Sequence, residues 1–339
     1  MTRPALLRVT EAGLYCEAGD FYIDPWRPVA RAVTTHAHAD HAVRGSGAYL
    51  VARQGLRVFE RRLGPDAPLD AADYGERRRL GDATVSLHPA GHILGSAQVR
   101  VERDGEVWVV SGDYKVAADP TCAPFEPQRC HVFVSECTFG LPIYRWPRPE
   151  ALAAEINQWW RDNAAAGRPS LLLAYALGKA QRALASLDPS IGPIYGHGAV
   201  EPLHAAYRDS GVELPATRSV GESDEPGAFR TALILAPPSA LGTPWVRRFR
   251  DPSTAFASGW MLVRGARRRR SVDRGFALSD HADWEDLQAA IAATGAERVL
   301  LTHGSTAAVV RWLREQGHDA DALTTRYGGE QDDDPTEAA

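Results

Sequence analysis

The sequence predicts an α/β protein in which a second α/β domain is inserted into the first. Three observations carry that prediction. Short runs of β-branched and apolar residues recur over the first part of the chain and repeatedly end in His, Asp or Glu. After Pro147 and Pro149 the pattern turns helical and then alternates between strand and helix. Beyond Phe276, short strands ending near His return. With 339 residues, 44% of them apolar, the chain is long enough for two cores. The expected divisions are 1–146, an insert over 147–276, a return over 277–330, and a disordered acidic tail over 331–339.

Taken in order, L-L-R-V-T, G-L-Y-C-E and F-Y-I-D-P read as a strand meander broken by Gly13, Gly19 and Asp20. Val33, Thr34 and Thr35 favour another strand, which runs into H-A-H-A-D-H. There His36, His38, Asp40 and His41, four groups able to bind a metal, lie together. An i, i+2 pair in extended backbone points both imidazoles to one side, and Asp40 and His41 enter the next turn and point to a neighbouring position. One segment can therefore serve two adjacent ions.

Residues Ala52 to Leu63 read as an amphipathic helix, with Leu56, Phe59 and Leu63 on one face and Arg57, Arg61 and Arg62 on the other. Strands resume from Arg79. V-S-L-H-P-A-G-H offers two candidate ligands, His88 within the strand and His92 after Gly91. Asp104-Gly105 is a hairpin signal. V-W-V-V-S-G-D-Y then ends at Asp113, whose two oxygens can touch two ions at once. H-V-F-V-S-E-C-T is an apolar strand ending in Glu136, by itself an acid near the site.

In the insert, A-L-A-A-E-I-N-Q-W-W reads as a helix, and S-L-L-L-A-Y-A-L-G-K-A-Q-R-A-L as a strand, a glycine turn and a helix start. Lys179 and Arg182 sit where a helix N-terminus could meet phosphate. After the insert, A-D-W-E-D-L-Q-A-A-I reads as a helix and R-V-L-L-T-H-G-S as the final strand. His197, His204 and His318 have no comparable setting and are left as structural. Trp146, Trp159, Trp160 and Trp260 are expected to be mostly core.

The formal net charge of −5 argues against bulk attraction to a polyanion, so any nucleic-acid contact must use local charge. Arg264 and the run Arg267 to Arg270 are the candidates. Four cysteines without C-x-x-C spacing are read as reduced. The N-terminus has no signal-like apolar run, and no stretch is apolar for long enough to span a membrane, which points to a cytoplasmic protein.

H-A-H-A-D-H, G-H-I-L-G-S, E-C-T-F-G, A-L-G-K-A-Q, S-D-H-A-D-W and L-L-T-H-G-S together resemble the metallo-β-lactamase superfamily, and within it the nucleic-acid-cutting β-CASP branch. C-T-F-G-L-P-I-Y-R-W and A-S-G-W-M add a likeness to the bacterial ligase-associated DNA exonucleases. The resemblance covers nearly the whole chain. It implies an αββα sandwich with a β-CASP cap as the insert, and two divalent ions, zinc with manganese as the other candidate.

The match selects His92 over His88. It implies His36, His38 and His92 around one ion, Asp40, His41 and His303 around the other, and Asp113 bridging. Asp24 is implied to orient the histidine loop through a hydrogen bond. His281, supported by Glu136, is implied to donate a proton, so that Asp40, Glu136 and His281 form the catalytic group. Lys179, Arg182, Ser258 and Gly259 are implied contacts to substrate.

The implied activity is DNA exonuclease, from 5′ ends, in repair with an ATP-dependent ligase and a helicase. Glu136 and His303 are nevertheless the residue types of the RNA-processing members, where Artemis-like DNA nucleases carry Asp and Val. An RNA-processing nuclease is therefore the first rival. A small-molecule hydrolase and an inactive nucleic-acid-binding scaffold are the others.

Overall fold

The computed structural model describes residues 5–221, 227–263 and 272–324. Arg264, the run Arg267 to Arg270 and the acidic tail lie outside the described residues. The chain forms two units, one built from the residues up to Arg145 and from His281 onward, the other from Trp146 to Asp280.

In the first unit, two sheets of six and seven strands share one core. Leu14, Ile23 and Val33 come from one sheet, and Val85, Val99, Val110 and Val134 from the other. Alternation decides which face each residue takes. In the strand Val132–Glu136, Val132 and Val134 face the inter-sheet core, whereas Phe133 joins the cluster formed with the helices Trp284–Thr294 and Thr306–Glu315. The helix Leu56–Leu63 lies against the strand Tyr49–Ala52 of the six-stranded sheet. The layers are thus helix, sheet, sheet, helix.

The expected hairpin is present. Arg103 pairs with Glu106, and Asp104 and Gly105 both adopt positive φ, 49° and 82°, as a two-residue turn with a right-handed strand twist requires. The strand Arg298–Thr302 is not the last one. Asp319–Ala322 pairs parallel to it at the sheet edge. Its D-A-D-A sequence buries only Ala320, so it carries no strand-like composition.

The topology puts the chemistry at one edge. Ala83–Pro89, Glu106–Val110, Val132–Glu136 and Arg298–Thr302 all run in the same direction, the last three as neighbouring parallel strands. Their C-terminal ends deliver His92, Asp113, Glu136 and His303 to the same side.

The second unit has a six-stranded sheet that is parallel throughout its pairings. The helices Pro149–Ala165 and Lys179–Ala185 pack on one face through Ile156, Trp160, Ala180 and Leu184. Phe249 and Met261 lie on the other. The unit runs on to Asp280 because Arg274–Phe276 is its edge strand and Leu278 packs into its core. Among the described residues, no helix is long and apolar enough to cross a membrane.

Candidate metal centre

The strand Ala32–Val33 ends earlier than its β-branched run suggests, and Thr34 to His41 form a compact turn. Its backbone is closed by Ala42 N donating to His38 O at 2.8 Å. His36 Nε2 lies 3.1 Å from His38 Nδ1, and His92 Nε2 is also 3.1 Å from His38 Nδ1. Zinc–nitrogen bonds of about 2.0–2.1 Å at tetrahedral angles set donor nitrogens roughly 3.3 Å apart, so the spacing fits one ion. Asp113 Oδ2 stands 3.5 Å from His36 Nε2 and 3.7 Å from His92 Nε2.

The same carboxylate faces a second group. Its Oδ2 is 3.7 Å from His41 Nε2 and its Oδ1 is 3.8 Å from His303 Nδ1. Asp40 Oδ2 lies 3.5 Å from His41 Nε2, on a side chain still 44% exposed at the rim. Asp113 therefore sits between two sets of donors. Imidazole and carboxylate in this mixture suit zinc or manganese.

Asp24 organises the loop from behind, in a left-handed conformation at φ 44° that Asp tolerates better than most residues. Its carboxylate accepts from Thr35 N at 2.8 Å, Thr35 Oγ1 at 2.6 Å and His41 Nδ1 at 2.7 Å. A carboxylate only accepts, so His41 carries its proton on Nδ1 and turns Nε2 toward Asp113. Thr35 Oγ1 has spent its hydrogen on Asp24 and receives one from His36 Nδ1 at 3.0 Å, which frees His36 Nε2 in the same way.

Glu136 is buried at the end of its strand. Its Oε1 accepts from Tyr114 N at 2.9 Å and His281 Nδ1 at 2.8 Å, and its Oε2 from Thr138 Oγ1 at 2.5 Å. The His281 ring lies 4.7 Å from that of His92, beside the first donor set. His303 is left-handed at φ 54°, and Cys137 Sγ donates to its carbonyl at 2.8 Å. Gly304 must be glycine, since a Cβ there would come within 2.2 Å of Cys137 O.

The chain is similar to several known proteins. A protein named "Probable DNA ligase" from Opitutus terrae is 31% identical over 322 residues, 92% of this chain but 30% of that protein. An "RNase J-like protein" from Methanocaldococcus jannaschii is 27% identical over 143 residues, 40% of this chain and 34% of that protein. A ribonuclease from Thermus thermophilus is 27% identical over 221 residues, 56% of this chain and 48% of its own length. These relatives are consistent with the chain's resemblance to the metallo-β-lactamase superfamily and its β-CASP branch. The chain spans about a third of the length of the first two of these relatives. A crystal structure of a protein of unknown function from Enterococcus faecalis shares the fold at TM-score 0.57 and 12% identity, covering 88% of this chain and 80% of that one. No protein-family profile matches the chain.

Electrostatics divide the donors. Burial, then the neighbouring His41 and His92, hold the His36 imidazole well below its usual range, and burial followed by His41 pushes His303 down to about 4. Burial also works against protonation of His41, but Asp40, Asp113 and Asp24 outweigh it and raise His41 to about 10. Burial raises Asp113. Burial would raise Glu136 too, yet His281 and the hydrogen bonds to its oxygens keep it below the ordinary glutamate value.

Other expected positions fall elsewhere. Lys179 and Arg182 are buried and do not present an anion site to solvent: Lys179 Nζ faces Asp280 Oδ1 at 2.8 Å, and Arg182 Nη1 donates to Ser279 O at 2.7 Å. Ser258 is buried and caps the turn Gly259–Leu262, with its Oγ accepting from Trp260 N at 3.4 Å. Gly259 is buried within that turn. His88 faces Ser86 Oγ at 3.0 Å, and His204 is buried beside Glu201. Trp159 and Trp160 are core, donating to Ser253 Oγ and Thr231 O. Thr35 and Thr138 matter most among the residues that pattern reading passed over. Thr35 looked like an ordinary strand former, and its place beside His36 was the one available signal.

Proposed function

We propose that the chain is a metal-dependent DNA exonuclease that works from 5′ ends, in repair alongside an ATP-dependent DNA ligase and a helicase, in the cytoplasm. The observation that carries the hydrolytic part is the pair of donor sets around Asp113 next to the Glu136–His281 pair. We read His36, His38, His92 and Asp113 as holding one divalent ion, and Asp40, His41, His303 and Asp113 as holding the other. Such a pair, when bound there, would activate water near neutral pH and supply countercharge for the phosphate. Glu136 keeps the Nδ1 proton of His281 in place, so that Nε2 can hold a second proton and deliver it to the departing sugar oxygen. We take the second unit as the β-CASP cap.

Support for DNA is the likeness to the ligase-named protein over 92% of the chain, against 40% and 56% for the ribonuclease-named relatives quoted above. The second reading, an RNA-processing nuclease, is favoured by those relatives' names and by Glu136 and His303. A time course on 5′- and 3′-labelled single strands of DNA and RNA separates them, with Asp113→Ala as control. Shortening of DNA from the 5′ end, absent in Asp113→Ala, is expected. Faster loss of RNA selects the second reading. Cleavage retained by Asp113→Ala, or no cleavage of either strand, defeats both.

A further inference from the structure

We propose that Arg62 is a positioning residue for the first donor set, acting through the helix Leu56–Leu63 as a strut between its two loops. The inference rests on the two-metal reading above. His38 presents Nδ1 to the centre, whereas His36 and His92 present Nε2. Nδ1 is bonded to the ring carbon that carries Cβ, so this donor has a short lever, and rotation about the side-chain bonds corrects little error in the backbone. The peptide plane between Ala37 and His38 must therefore be held. Arg62 Nε donates to Ala37 O, the carbonyl of that plane, at 3.0 Å. Arg44 Nε in turn donates to Arg62 O at 2.7 Å, which fixes the last turn of the helix from outside.

The other end of the helix meets the other loop. Gly55, just before the helix, lies against Gly95, three residues beyond His92; a Cβ on Gly95 would come 2.1 Å from Gly55 Cα and 2.3 Å from Gly55 N. Backbone touches backbone there, and neither side can shift toward the other. The eight-residue helix is about 12 Å long and rigid on that scale. Braced on the His92 loop at one end, it holds the peptide before His38 at the other, so the three imidazoles keep a common focus. A guanidinium near a dication weakens ion binding by charge alone, so its contribution there has to be geometric. By helix pattern Arg62 belongs to a solvated face, yet it is half-buried and turned inward.

The test uses the full chain in a His41→Ala background, which leaves the first donor set intact. Zinc affinity is measured by competition with a chelator, the cobalt(II) absorption spectrum reports ligand geometry, and the melting temperature is taken on metal-free protein. Arg62→Met is expected to weaken zinc roughly 10- to 100-fold and to alter the cobalt bands, with little change in metal-free melting. Arg62→Lys, which can still donate, should recover part of the affinity. Arg61→Met, exposed on the same helix, should match the parent. The proposal is overturned if Arg62→Met binds zinc like the parent, or if its metal-free melting falls in step with affinity, which marks a merely structural arginine. If the parent itself binds no ion, and the wild-type chain binds none either, it is the two-metal reading that has failed, and this proposal with it.

Discussion

Replacing Asp24 should separate the folding of the metal loop from its chemistry. The carboxylate accepts three hydrogen bonds, from Thr35 N, Thr35 Oγ1 and His41 Nδ1, all between 2.6 and 2.8 Å. Asp24→Ala strands the buried Thr35 N–H and hydroxyl. At about 1–3 kcal/mol for each unsatisfied group, the expected loss of stability is about 2–6 kcal/mol. Asp24→Asn keeps the shape. Its amide oxygen, in the place of Oδ1, can still accept from Thr35 N, but its nitrogen, in the place of Oδ2, only donates and faces both Thr35 Oγ1 and His41 Nδ1. His41 must then carry its proton on Nε2, the atom 3.7 Å from Asp113 Oδ2 that a metal would need. The fold should lose only about 1 kcal/mol, one ordinary hydrogen bond. Affinity for the second ion should fall roughly 10- to 100-fold. Urea midpoints of the metal-free variants and zinc stoichiometry under chelator competition measure the two effects. Two ions bound by Asp24→Asn at wild-type affinity would refute the tautomer argument.

The raised His41 pKa sets a pH dependence. Metal binding must expel the proton held up to about pH 10, so affinity of the second donor set should climb about tenfold per pH unit between pH 7 and 9; a flat titration would contradict it. In the metal-free chain the same proton contributes stability that is full below the ordinary value of 6.5 and is lost as pH rises toward about 10, so its melting temperature should decline over that interval while the loaded protein's does not. Glu136→Gln and His281→Ala should each slow strand cleavage about 10²- to 10⁴-fold, yet barely affect a bis(p-nitrophenyl) phosphate reporter, whose leaving group needs no proton. Equal loss on both substrates would remove the proton donor from the mechanism. Gly304→Ala, forced to φ 74° with its Cβ 2.2 Å from Cys137 O, should cost about 3 kcal/mol or more, read as a drop in melting temperature; an unchanged melt would show that the turn can relax.

Where side-chain pattern and backbone preference coincide, elements were legible in advance. Val132–Glu136 alternates between two cores, Asp104-Gly105 makes its turn, and Pro149 starts the helix that runs to Ala165. Where burial comes from neighbours rather than composition, they were not. Asp319–Ala322 is a strand because Arg298–Thr302 offers it an open edge, and the helix Leu56–Leu63 begins later than its apolar pattern, after a short 3₁₀ turn over Arg53–Gly55.

The site divides along the same line. Residue type and place after a strand were enough to nominate His36, His38, Asp40, His41 and Asp113, because few side chains bind metal and local spacing constrains where they point. His92 over His88, and His281 and His303, needed likeness to other chains, since nothing local distinguishes a ligand from a packed histidine. Tertiary structure alone decided which ring nitrogen each histidine presents, that Thr35 relays Asp24 to His36, that Lys179 and Arg182 are buried against Asp280 and Ser279, and that Arg62 reaches Ala37. The physical reason is that a hydrogen bond depends on distance and direction across the fold, and residues far apart in sequence carry no local trace of either.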